Sequence, residues 1–60
     1  METILIHRTS DNREAKVLYV FGPTSSPKLE VTWTDNGVDT SLELSETDIT
    51  PEQLEAAKAL

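Results

Sequence analysis

From Leu29 to Leu44 the chain reads LEVTWTDNGVDTSLEL, with apolar and polar residues alternating on both sides of Asn36-Gly37. Alternation with period two predicts a strand on each side of a turn. Asn36-Gly37 is the pair a two-residue type I′ turn demands, because both central residues need φ > 0 and these residue types tolerate it best. Such a turn places Trp33 opposite Thr40, Val31 opposite Leu42 and Leu29 opposite Leu44, so the large apolar residues of both arms share one face. Lys28, Glu30, Thr32 and Thr34 then join Asp39, Ser41 and Glu43 on a polar face.

Upstream, Glu2 to Thr9 reads as a first strand built on Ile4, Leu5 and Ile6, and Ala15 to Phe21 as a second. The second is apolar on both sides: Val17, Tyr19 and Phe21 fall on one face, Leu18 and Val20 on the other. A strand without alternation is expected to be central or sandwiched. A two-residue turn at Asp11-Asn12 pairs Ile6 with Val17, Ile4 with Tyr19 and Leu5 with Leu18. Gly22 to Pro27 is a loop, since neither proline can donate to a ladder and each restricts the residue before it. After the second hairpin, the acidic connection Ser45 to Ile49 leads into a helix with a complete start signal. Thr50 is the N-cap, Pro51 stands at N1, Glu52 suits the positive helix end, and Gln53 at N3 completes a capping box. Leu54, Ala57 and Leu60, widened by Ala56, form its apolar stripe, while Glu52, Glu55 and Lys58 point away. The expected fold class is α+β: a four-stranded antiparallel sheet of two β-hairpins followed by one C-terminal helix, ββββα, as a single domain over residues 1–60.

Sixty residues bury only about 60% of the surface the unfolded chain exposes, so the domain is expected to be marginally stable. Cysteine is absent. No disulfide framework supports the fold, which argues against a small secreted scaffold. Five Lys and Arg against eleven Asp and Glu give a net charge of −6, and Glu43, Glu46, Asp48, Glu52 and Glu55 follow one another with no base between them. This charge disfavours phosphate backbones and anionic lipid. The longest stretch free of charge and proline, Val17 to Gly22, is far short of a membrane span, and the N-terminus has no basic region. The expected location is the cytoplasm.

Candidate chemistry is sparse. His7 is the single histidine, and the predicted pairing sets it opposite Lys16 with no orienting carboxylate, whereas general-base catalysis needs an orienter and a nucleophile within reach. The Ser and Thr residues sit in strands, turns and caps, none in a nucleophile-elbow setting. Glu43, Glu46 and Asp48 lack the ligand spacing and turn glycine of a calcium loop, and Asp35 to Asp39 is explained by the hairpin. Trp33, Tyr19 and Phe21 are expected in the core, with Arg8, Arg13, Lys16 and Lys28 too few to hold a nucleic acid. No catalytic residue, cofactor, metal, direct nucleic-acid contact or membrane contact is expected.

What remains is the two-sided first hairpin. Leu5, Leu18 and Val20, flanked by Thr3, His7 and Lys16, form an apolar strip that one helix leaves bare, and exposed apolar patches mark protein contacts. The expected function is a small acidic, non-enzymatic protein-protein interaction module that uses this strip to form a homodimer or bind a protein partner. The alternative is an acidic inhibitor that mimics nucleic acid in a basic cleft through Glu43, Glu46, Asp48, Glu52 and Glu55. A further possibility is β-augmentation at an exposed edge, either Glu2 to Thr9 or Val38 to Leu44.

Overall fold

The computed structural model describes residues 2–60. Strands β1 (Leu5–Arg8), β2 (Arg13–Phe21), β3 (Lys28–Trp33) and β4 (Asp39–Glu43) form one antiparallel sheet in the order β1-β2-β3-β4. A single 3₁₀ turn at Leu44–Glu46 and helix α1 (Pro51–Lys58) complete the ββββα fold. The helix starts where its signals place it: Thr50 accepts from the Gln53 N–H at 3.1 Å while the Gln53 side chain accepts from the Thr50 N–H at 2.9 Å.

Both hairpins turn through four residues where two were expected. The first ladder pairs Ile6 with Ala15 and ends at Arg8–Arg13; the second pairs Leu29 with Leu42 and Val31 with Thr40, and the Trp33 N–H donates to the Val38 carbonyl at 3.0 Å. The two loops are built alike. Asn12 donates to the Arg8 carbonyl and Gly37 to the Trp33 carbonyl, each at 2.7 Å. The fourth loop residue is left-handed in both, Asn12 at φ 57° and Gly37 at φ 72°. At the third position Asp11 and Asn36 accept, through Oδ1, the N–H two residues on. Asn36-Gly37 therefore supplies the second half of a longer loop, using the side-chain bond and φ > 0 tolerance these residues offer. Each ladder shifts by two residues from the expected pairing. Because side chains repeat every two residues, the shift changes partners and leaves faces intact.

The second strand departs further. Val17 pairs with Val31 and Tyr19 with Glu30, so Leu18 and Tyr19 together oppose Glu30 in a β-bulge. Beyond the bulge the alternation inverts. Val20 turns inward opposite Leu29 and packs on the core, whereas Tyr19 and Phe21 face outward, 50% and 37% exposed. The expectation that Val17, Tyr19 and Phe21 share a buried face is thereby corrected.

The outer edge of β1 is also capped by a later part of the chain. Val17 donates to the Ile4 carbonyl, which turns the backbone groups of Leu5, His7 and Thr9 toward the outer edge of β1. The chain after the 3₁₀ turn covers that edge: Thr47 bridges Arg8, the Thr9 N–H donates to the Glu46 carbonyl at 2.9 Å, and the Asp48 N–H donates to the His7 carbonyl at 3.0 Å. Gln53 Nε2 adds a bond to the Leu5 carbonyl at 3.3 Å. Inside the curled sheet lie Ile4, Ile6, Ala15, Val17, Leu29, Val31, Trp33 and Leu42, with Ala57 of α1 packed on them. Near the hairpin loops the Trp33 ring is covered by the guanidinium groups of Arg8 and Arg13, 4.7 and 4.2 Å from its centroid. Asp11 and Asp35 hold those two arginines in turn. Toward the other end, Leu54 and Ala56 pack beside Ala57, but Leu60 lies past the helix and is 45% exposed.

Candidate functional site

Three groups of residues are placed by this fold. The first surrounds His7. The shifted ladder sets His7 opposite Glu14, where Lys16 was expected, and edge closure adds a carboxylate from far along the chain. Asp48 Oδ1 accepts the His7 backbone N–H at 2.7 Å, Asp48 Oδ2 lies 3.2 Å from Nδ1, and Glu14 Oε2 lies 4.0 Å from Nε2. The His7 backbone bond, reinforced by the ring, lowers the pKa of the Asp48 carboxyl. The imidazole thus has the orienting carboxylate that the sequence did not reveal. Among the described residues its only hydrogen-bond partner is Asp48, and no hydroxyl is bonded to it. The arrangement fastens residues 46–48 to β1.

The second group is the acidic set. Glu43 and Glu46 cap the 3₁₀ turn reciprocally, with the Glu43 N–H donating to Glu46 Oε2 at 3.2 Å. Asp48 is bound to His7, Glu55 pairs with Lys58 at 3.0 Å, and Glu52 stands in the first turn of α1. Four of the five carboxylates therefore have partners within the chain. Among the described residues no three His, Cys, Asp or Glu come together to hold a metal ion, and no helix is long and apolar enough to cross a membrane.

The third group is the outer face of the sheet. Its rows run Leu5–Lys16–Thr32–Asp39, then Tyr19–Glu30–Ser41, then Phe21–Lys28–Glu43. Tyr19 and Phe21 form an edge-to-face pair with ring centroids 6.0 Å apart. Leu5 is 43% exposed, and Leu18, half-buried and outside the core cluster, lines a shallow hollow of about 220 Å³ with Lys16 and Leu60. Of the three apolar residues singled out from sequence, Leu5 and Leu18 lie away from the core and Val20 lies within its packing. The two aromatics that belong with them were missed, because a strand apolar on both faces gives no alternation in which a bulge can be seen.

The two edges of the sheet differ. Bonding alternates along the ladder between β3 and β4, so the N–H and C=O groups of Asp39 and Ser41 point away from β3. Beside them an open groove of about 560 Å³ runs between β4 and the end of β1, lined by Arg8, Thr9, Ser10, Thr40, Ser41, Leu42, Ser45 and Glu46. Among the described residues the edge of β1 is covered and that of β4 is bare. No protein-family model, curated protein sequence or solved structure matches this chain.

Proposed function

We propose that this chain is a small non-enzymatic interaction module that pairs with a second copy of itself through the outer sheet face. The observation that supports the reading is the Tyr19–Phe21 pair, turned outward by the bulge, with exposed Leu5 on the same face and half-buried Leu18 at the bulge. Aromatic side chains concentrate contact energy because they offer large, rigid apolar area. On this face the carboxylates Glu30, Asp39 and Glu43 outnumber the bases Lys16 and Lys28, which suits protein contact better than the stacking of bases on a phosphate backbone. Arg8 and Arg13, engaged by Asp11, Asp35 and Trp33, do not offset that charge.

Each ring retains roughly 100 Å² to bury, or about 2.5 kcal/mol at ~25 cal/mol per Å². Four rings across a symmetric contact thus contribute about 10 kcal/mol against an association cost of ~4–15 kcal/mol, which leaves at most about 6 kcal/mol and a dimer no tighter than tens of micromolar. Two copies at −6 each repel, and added salt screens that repulsion. The reading therefore requires association that strengthens with salt. Light scattering over a concentration series at low and high salt tests it: the mass should climb toward twice the monomer value, and do so sooner at high salt. The double variant Tyr19→Ser, Phe21→Ser should stay monomeric. A wild-type chain monomeric throughout, or a variant that associates equally well, would overturn the reading.

A further inference from the structure

We infer that the bare edge of β4 is a docking site for an extended, basic peptide segment, which adds to the sheet as a fifth strand. This goes beyond the self-association proposed above and uses the backbone of the sheet edge, which adjoins that face at Asp39, Ser41 and Glu43. Backbone groups at a sheet edge bond readily to another strand, and such addition is a recurring mode of peptide recognition. In this chain one edge is sealed by Glu46, Thr47, Asp48 and Gln53, while Asp39 and Ser41 present their N–H and C=O groups outward over the whole middle of β4. The groove alongside keeps the edge accessible from the β1 side.

Charge selects the occupant. Asp39 and Glu43 lie on the outer face of the edge strand, Glu43 opposite Lys28, and Glu46 lines the groove, whose one basic lining residue, Arg8, is held by Asp11, within a chain of net charge −6. A second β4 brought antiparallel to the first would set acidic residues near acidic residues, and like charges across a strand pair are destabilising. A strand carrying Lys or Arg meets complementary charge instead. The ladder also sets the pattern. Side chains of the added strand alternate, so those on the outer face neighbour Asp39, Ser41 and Glu43, and those on the inner face neighbour Thr40 and Leu42. The segment that fits therefore alternates basic residues with apolar or hydroxyl residues over the five-residue length of β4.

The test uses a capped synthetic peptide alternating lysine with valine, titrated into the ¹⁵N-labelled protein and followed by amide NMR. The expected result is saturable binding, with the Asp39 and Ser41 amides shifting downfield and gaining protection from hydrogen exchange, and affinity that falls as salt is raised. A version N-methylated at alternate residues keeps the charge but cannot pair, and should bind at least ten-fold more weakly. A glutamate-for-lysine version should not bind. Ser41→Pro removes an outward-facing N–H at a position where an edge strand tolerates proline, and should also lose at least ten-fold. Equal binding by the N-methylated peptide would overturn the inference, since charge alone would then explain the affinity, and this arm does not depend on whether Ser41→Pro folds. Shifts centred on Tyr19 and Phe21, no binding at millimolar peptide, or protection of Ser41 that rises with protein concentration alone would equally overturn it.

Discussion

Inversion of β2 at its bulge is tested by two substitutions at neighbouring positions. Uninterrupted alternation puts Tyr19 in the core and Val20 outside; the observed register does the opposite. In Tyr19→Thr the ring is removed from a half-exposed site while a β-branched residue keeps the strand preference. The loss is the covered half of the ring and its contact with Phe21, about 1–1.5 kcal/mol. A tyrosine truncated in the core would instead cost about 3–5 kcal/mol, as large core aromatics do. A domain of this length has only ~3–5 kcal/mol of stability, so that second case is an unfolded protein. Val20→Asp places a carboxylate at a partly buried position opposite fully buried Leu29, where Lys58 across a shallow hollow relieves part of the charge burial, and should cost about 2–3 kcal/mol. At ~4–8 °C per kcal/mol for a chain this short, Tyr19→Thr should lower Tm by about 5–10 °C, and Val20→Asp by about 10–20 °C. Thermal and urea unfolding, followed by far-UV circular dichroism and Trp33 fluorescence, reads both. An unfolded Tyr19→Thr beside a stable Val20→Asp would refute the bulge and, with it, the aromatic face.

Two further predictions concern the loops and the edge closure. Arg8 holds the Asp11 carboxyl down at about 2 from its ordinary 3.8, and Arg13 and His7 lower those of Asp35 and Asp48. The folded chain thus binds protons at these sites less readily than the unfolded chain, so their stabilisation is full above about pH 4 and is lost as pH falls toward 2. Tm should decline over that window and decline less in Asp48→Asn; a flat profile in the wild type would contradict the three bonds. Gly37, at φ 72° with open space where a Cβ would stand, should accept Asn at well under 1 kcal/mol, whereas Val should cost about 1–2 kcal/mol in urea unfolding. Equal costs would mean that contact, and not backbone conformation, limits the site.

Much of this architecture was legible in the sequence, for a physical reason. Face assignment depends on the parity of position. The polar set from Lys28 to Glu43 and the buried set Leu29, Val31, Trp33 and Leu42 therefore stand even though both ladders slid by two. The helix start was legible because its signals are local to Thr50–Gln53. Loop length was not, since Asn36-Gly37 satisfies a two-residue turn and the second half of a four-residue loop equally well. Nor was the partnership of His7 with Asp48, 41 residues away, because it rests on one short stretch of polar backbone with no periodic pattern. The candidate surface was half legible. Leu5 and Leu18 stood out as apolar residues with no helix to cover them, but the bulge exchanged Val20 for Tyr19 and Phe21.

The closure at Thr47 also gives the chain an order of assembly and a weak point. Each hairpin joins residues close in sequence, and such contacts form quickly; the Arg8–Thr47 bridge must close a loop of most of the chain. The seam is then the last part to form. Between Leu44 and Ile49, which pack on the core, it is held by polar contacts, several of them exposed, so loss of those contacts opens it locally. Opening uncovers the edge of β1 while that of β4 is already free, and a sheet with two free edges can extend at both ends. The Asp48 carboxylate is thus one of the groups that guard against polymerisation: a chain that loses it opens this seam more readily and faces its neighbours with two free edges more often.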